Sequence, residues 1–171
     1  MISFIVFTSL VVALIGNCIP LVSCDKTITV DSFSIGDCVE VHYTAPTERA
    51  TINLKQADGG NYVLHCDYRV DYNDMKDTLL LNAKFGSFDP SERQLVNDVK
   101  STPGTIVEIS ICAADANTFS VTFNGKLLAN YSNDSKTDIS TLSQVQFVDD
   151  DGGDAELKSM CVKYASPSSD S

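Results

Sequence analysis

Tryptophan is missing from this chain, histidine occurs only twice, and basic side chains are scarce, 12 against 23 acidic ones. The shortage of cations leaves a formal charge of −11. Such a surface repels nucleic acid and anionic lipid, so neither is an expected partner, and no run of Lys or Arg argues otherwise. Metal ligands are equally thin. His65 and Asp67 could supply two where a site wants three or four, Arg69 beside them repels a cation, and no C-x-x-C pair occurs. The acidic stretch "VDDDGGD" (148–154) lacks the spaced ligands and terminal Glu of a calcium loop and reads as a solvated turn. No nucleophile motif such as G-x-S-x-G appears. Neither enzymatic activity nor a cofactor is therefore expected. A convincing helical period is absent too.

What is present begins with "MISFIVFTSLVVALIGNCIPLVSC", which holds no ionised side chain. Its apolar run, residues 2–15, has signal-peptide length. Asn17 and Pro20 break it, and the small residues Ser23 and Cys24 follow. The n-region has only its α-amine for charge. An uncleaved anchor is the alternative, but a span takes roughly 20 apolar residues. Residues 1–24 thus read as a signal peptide, 25–164 as one domain, and 165–171 as a disordered tail. The tail "ASPSSDS" has no apolar end for a lipid anchor and no retention tetrapeptide. The expectation is a secreted, extracellular protein without membrane insertion.

Secretion permits disulfides. Cysteines stand at 18, 24, 38, 66, 112 and 161, and Cys18 would leave with the signal. Reduced, buried cysteines acting as small apolar residues are the alternative. Asn130 and Asn133 each begin an N-x-S sequon, so N-glycosylation is expected at one of them.

The chain is long enough for a real core, and its apolar residues alternate. "DCVEVHY" (37–43) aligns Val39, Val41 and Tyr43. "ATINLKQ" (50–56) aligns Ile52 and Leu54. "DTLLLNAK" (77–84) sets Leu79, Leu81 and Ala83 on one face, with Leu80 and Asn82 on the other. "PGTIVEISIC" (103–112) aligns Val107, Ile109 and Ile111. "NTFSVTFNGKLLANY" (117–131) reads as a hairpin about Asn124-Gly125. Eight or more short strands without helices predict an all-β, antiparallel β-sandwich or a barrel, each sheet with an apolar and a wet face.

One strand places chemistry on its wet face. In "VLHCDYRV" (63–70), Leu64, Cys66, Tyr68 and Val70 share one side, and His65, Asp67 and Arg69 the other. If the strand of 77–84 lies beside it, Asn82 joins them. Phe88 and Glu92-Arg93 follow shortly after. Imidazole, carboxylates, amide, guanidinium groups and an aromatic ring together suit a sugar. Its hydroxyls donate and accept, and its C–H face packs on a ring. His42, Arg49, Glu48 and Lys55 read as exposed surface. Tyr62, Tyr68 and Phe85 fit either the rim of the site or the core.

In these segments the chain resembles a galectin, a β-galactoside-binding lectin domain. "LHCDYRV" is similar to that family's H-x-N-x-R strand, "LLLNAK" to its V-x-N strand, and "FGSFDPSER" to its W-G-x-E-x-R segment. "IGDCVEV", "PGTIVEISI" and the strands that follow are similar in the same order, over roughly residues 30–164. The resemblance implies a jelly-roll sandwich that binds glycans or glycoproteins with terminal galactose, possible homodimers, and a Cys24–Cys161 pair. His65, Arg69, Asn82 and Arg93 match the family's sugar-binding positions. Asp67 stands for its Asn, Phe88 for its Trp, Tyr68 for a Pro, and Ser91 where its Glu falls, with Glu92 one residue later. The alternative reading is a degenerate sandwich with an altered glycan preference or a protein-interaction role.

Overall fold

A computed structural model describes residues 26–132, 138–150 and 154–166. The signal stretch therefore lies outside the described residues, as does the tail beyond residue 166. In chain order the strands are β1 (Thr27–Thr29), β2 (Cys38–Thr44), β3 (Arg49–Gln56), β4 (Tyr62–Tyr72), β5 (Met75–Phe85), β6 (Ser87–Phe88), β7 (Gln94–Val96), β8 (Ile106–Ala113), β9 (Thr118–Phe123), β10 (Lys126–Ser132), β11 (Leu142–Asp150) and β12 (Leu157–Lys163). One-turn 3₁₀ helices at Pro90–Glu92 and Ile139–Thr141 are the only helices among the described residues. All pairing is antiparallel. One sheet runs β1-β11-β3-β4-β5-β6, with β7 also on β5, and the other runs β10-β9-β8-β2-β12. The expected β-sandwich is what forms.

The period-two pattern explains why. Val39, Val41 and Tyr43 of β2, Val107, Ile109 and Ile111 of β8, and Phe119 and Val121 of β9 bury one face of the second sheet. Ile52, Leu54, Leu64, Tyr68, Leu79 and Leu81 bury the inner face of the first, and all of them join one core. Each such side chain contributes roughly 1.5–3 kcal/mol of burial. Tyr68 is core rather than rim. Its hydroxyl donates to the Val99 carbonyl at 3.1 Å and lies 2.6 Å from Ser101 Oγ. Phe85 packs partly buried on the same core. The β9–β10 hairpin turns at Asn124 (φ 49°) and Gly125 (φ 75°), the two left-handed residues that a tight I′ turn requires.

Cys38 and Cys112 face each other across β2 and β8 and form a disulfide. Their wide spacing hides this in the sequence, because the pair appears only once strand register is set. Cys66 is buried beneath the first sheet, and burial pushes its thiol well above the ordinary range. Cys161 is buried on β12, but Cys24 lies outside the described residues, and with it the expected Cys24–Cys161 pair. Asn130 is exposed on β10, whereas Asn133 lies outside the described residues, as do 151–153 of the acidic turn. Of that turn, Asp149 accepts from the Ala155 N–H at 3.3 Å and stands 4.0 Å from Lys26 Nζ. The start of the tail is tied down, because the Ala165 N–H donates to Asp37 Oδ1 at 2.7 Å. His42 is half-buried, its Nε2 3.7 Å from Glu108 Oε2.

Candidate functional site

The outer face of β3, β4 and β5 is polar yet buried. Register fixes the rows. Across β3, β4 and β5, Asn53, His65 and Asn82 lie side by side, then Thr51, Asp67 and Leu80, then Arg49, Arg69 and Thr78. Side chains directly opposite in a sheet are within reach of one another, so each row is a contact set.

Asp67 is the centre. Its side chain is 0% exposed. Arg69 donates to its Oδ2 through Nε (2.9 Å) and Nη2 (2.7 Å), a two-point contact. Arg49 Nε donates to Oδ1 at 2.9 Å. Burial alone raises a carboxyl pKa, but the guanidinium groups of Arg69 and Arg49 outweigh it and hold Asp67 at about 2. Both guanidinium groups also pack on Tyr72, with Cζ 4.9 Å (Arg49) and 5.3 Å (Arg69) from the ring centroid. Arg49 is thus no ordinary surface charge, which corrects the sequence reading. The alternation in "RATINLKQ" puts Arg49, Thr51 and Asn53 on the wet face, and this was the signal that could have found them.

His65 Nδ1 lies 2.6 Å from Asn53 Oδ1. A carbonyl oxygen only accepts, so Nδ1 carries the proton. The other nitrogen, Nε2, stands 3.8 Å from Asp67 Oδ2, too far for a hydrogen bond. Asn82 is held on both sides. Its Oδ1 accepts from the Ala83 N–H at 2.8 Å, and its Nδ2 donates to the Asp89 carbonyl at 3.2 Å. Beyond β5 the chain turns at Gly86 (φ 74°) and presents Phe88, which is 42% exposed. The Phe88 ring centroid lies 4.9 Å from that of His65. The 3₁₀ turn that follows is capped by Asp89, whose Oδ1 accepts from the Ser91 N–H (2.9 Å) and hydroxyl (2.7 Å). Ser91 is thereby committed to the cap.

An open cleft of about 250 Å³ results. His65, Asp67, Arg69, Asn82, Phe88 and Arg93 all line it, joined by Arg49, Leu80 and Pro90. Glu92 sits half-buried in the 3₁₀ turn and does not line the cleft. A second cleft of about 210 Å³ shares His65 and Phe88 and extends over Thr51, Asn53, Tyr62 and Gln146. Tyr62 is therefore a rim residue, its ring centroid 6.1 Å from that of His65. Among the described residues no three His, Cys, Asp or Glu side chains gather as a metal would require. The arrangement can donate and accept hydrogen bonds along a polar edge and pack an apolar face on Phe88.

The chain is similar in sequence and in fold to known proteins. The chain is 37% identical over 144 residues to galectin b of Aplysina lactuca, covering 80% of this chain and 95% of that one. It is 32% identical over 130 residues to a galactose-binding lectin of Chondrilla caribensis, covering 69% and 85%. Among solved structures, a tetrameric galectin from the ball sponge Cinachyrella sp. superposes with a TM-score of 0.67 at 24% identity, covering 81% of this chain and 98% of that one. A Caenorhabditis elegans galectin superposes equally, at 0.67 and 17% identity, covering 83% and 92%. No family model matches the sequence.

Proposed function

Because the chain belongs to the galectin family, and so is a non-catalytic carbohydrate-binding lectin, we propose that it is secreted and binds β-galactosides in the cleft around His65, Arg69 and Asn82. The observation that carries this is the joining of those three side chains to an exposed aromatic, Phe88, around one open cleft. Galactose has an axial 4-hydroxyl. Its hydroxyls therefore gather along one side and leave a C–H patch on the other. His65, Arg69 and Asn82 address the first, and Phe88 packs on the second. Asp67 orients the guanidinium groups of Arg69 and Arg49, a positioning role. The Cys38–Cys112 disulfide supports secretion, because such bonds persist in oxidising compartments.

Each polar contact replaces one with water, so affinity per site falls on the order of ~10 µM to ~1 mM. A homodimer or a surface dense in galactosides supplies the avidity that such a site needs. Isothermal titration with lactose, and with maltose as control, tests the reading. Saturable lactose binding is expected, with no heat from maltose. Phe88→Ala, on an exposed ring whose loss spares the core, weakens binding by about tenfold, near 1.4 kcal/mol. Equal binding of both sugars, or of neither, contradicts the proposal.

A further inference from the structure

We propose that the galactoside this site takes carries an anionic group, a sulfate ester or a carboxylate, on the galactose or the sugar linked to it; the inference rests on the galactoside reading above. The two clefts share His65 and Phe88 and so make one groove. Cations crowd that groove in a chain that has few. Arg49, Arg69 and Arg93 line its first half against the single carboxylate of Asp67. One row further along, register sets Lys55 opposite Tyr62, Tyr62 opposite Lys84, and Lys84 opposite Phe88. Both ammonium groups lean on one ring. Lys55 Nζ stands 5.8 Å and Lys84 Nζ 5.0 Å from the Tyr62 centroid, and Lys84 Nζ is also 5.8 Å from that of Phe88.

Elsewhere carboxylates reach four lysines: Asp149 reaches Lys26, Asp98 reaches Lys100, Glu156 reaches Lys158 and Glu40 reaches Lys163, while Lys76 and Lys126 are exposed on the surface with no such partner among the described residues. Among the described residues Lys55, Lys84 and Arg93 have no such partner, and Lys55 reaches only the neutral Gln146 amide, at 3.5 Å. With 23 acidic residues in the chain, leaving Lys55 and Lys84 uncompensated on the Tyr62 ring and Arg93 uncompensated in the adjoining cleft concentrates like charge along one groove. An incoming anion relieves that repulsion. Ammonium and guanidinium groups both bind sulfate and carboxylate oxygens through charge-assisted hydrogen bonds. The overall charge of −11 makes the long-range field unhelpful to an anion, so the recognition is local.

The test is titration of the folded protein with lactose, lactose sulfated on its galactose, and lactose sialylated on its galactose, at low and at high salt. At least one anionic form should bind about tenfold more tightly than lactose at low salt, with the advantage shrinking as salt rises. Whether the sulfated or the sialylated form gains identifies the anion. In Lys55→Gln/Lys84→Gln the ratio of anionic to neutral affinity should fall toward one. Lactose bound as well as or better than both anionic forms overturns the inference and leaves the galactoside reading standing. A preference undiminished in the double variant also overturns it. Failure of all three sugars to bind overturns the galactoside reading itself, and the presence of lactose in the series makes that case distinct.

Discussion

At the scale of single residues, Asp67 governs the site. It neutralises two guanidinium groups at once, so Asp67→Asn takes the counter-charge they share away from both Arg49 and Arg69. The cost should be about 2–3 kcal/mol, since the arginines keep some solvent. Arg49→Ala alone should cost about 1 kcal/mol. The double variant should cost less than the sum of the two single changes, because the second substitution removes the charge that the first stranded. Denaturant midpoints on the four proteins measure this coupling. Asp67 also sets an acid limit. Its folded pKa, near 2, lies below the unfolded value near 3.9, so its stabilisation is fully present above about pH 4 and lost as pH falls through about 2. Acid unfolding of the wild type and Asp67→Asn should converge in that window. The wet-face positions of His65, Asp67 and Arg69 were legible from alternation alone. Alternation sets Arg49 on the same face too, but not its pairing with Asp67, because one arginine at a strand end looks the same whether it faces solvent or a carboxylate one strand away.

At the scale of elements, β4 and β5 supply the polar edge, and the Gly86 turn with the Asp89-capped 3₁₀ turn supplies the aromatic one. The cap and the Asn82–Asp89 bond tie that loop to β5. Asp89→Ala should loosen it by about 1 kcal/mol, the usual worth of a cap. Lactose affinity should then fall about fivefold while the melting temperature moves little, because the loop is exposed; calorimetry reads both. Strand identities and the Asn124-Gly125 turn could be read from the sequence, since period-two alternation and turn chemistry are local signals. The division of strands between sheets could not, because β2 pairs with β8 and β12, far away in the chain. The same non-local register hid the Cys38–Cys112 pair. Ser91 is spent on the cap through a local contact, two residues from Asp89, and neither that nor the place of Glu92 off the cleft follows from strand alternation, because both lie in the 3₁₀ turn.

At the scale of the molecule, one core holds two sheets together, and the disulfide staples the second. It closes a loop of sequence separation 74, worth about 4 kcal/mol if chain entropy dominates. Replacing both cysteines by serine should lower unfolding free energy by about 2–4 kcal/mol. The first sheet and its clefts lie apart from the bond, so sugar affinity at ambient temperature should hold. The net charge of −11 and the cationic groove coexist because charge matters at contact distance once salt screens the rest.

The central claim is that the wet face of β3–β5 is where a galactoside binds. Amide shift mapping by NMR during a lactose titration tests it most directly. Shifts should concentrate at 49–53, 63–70 and 80–93 and saturate together with a single affinity. Shifts confined to the outer face of the second sheet, or none at saturating lactose, would contradict it.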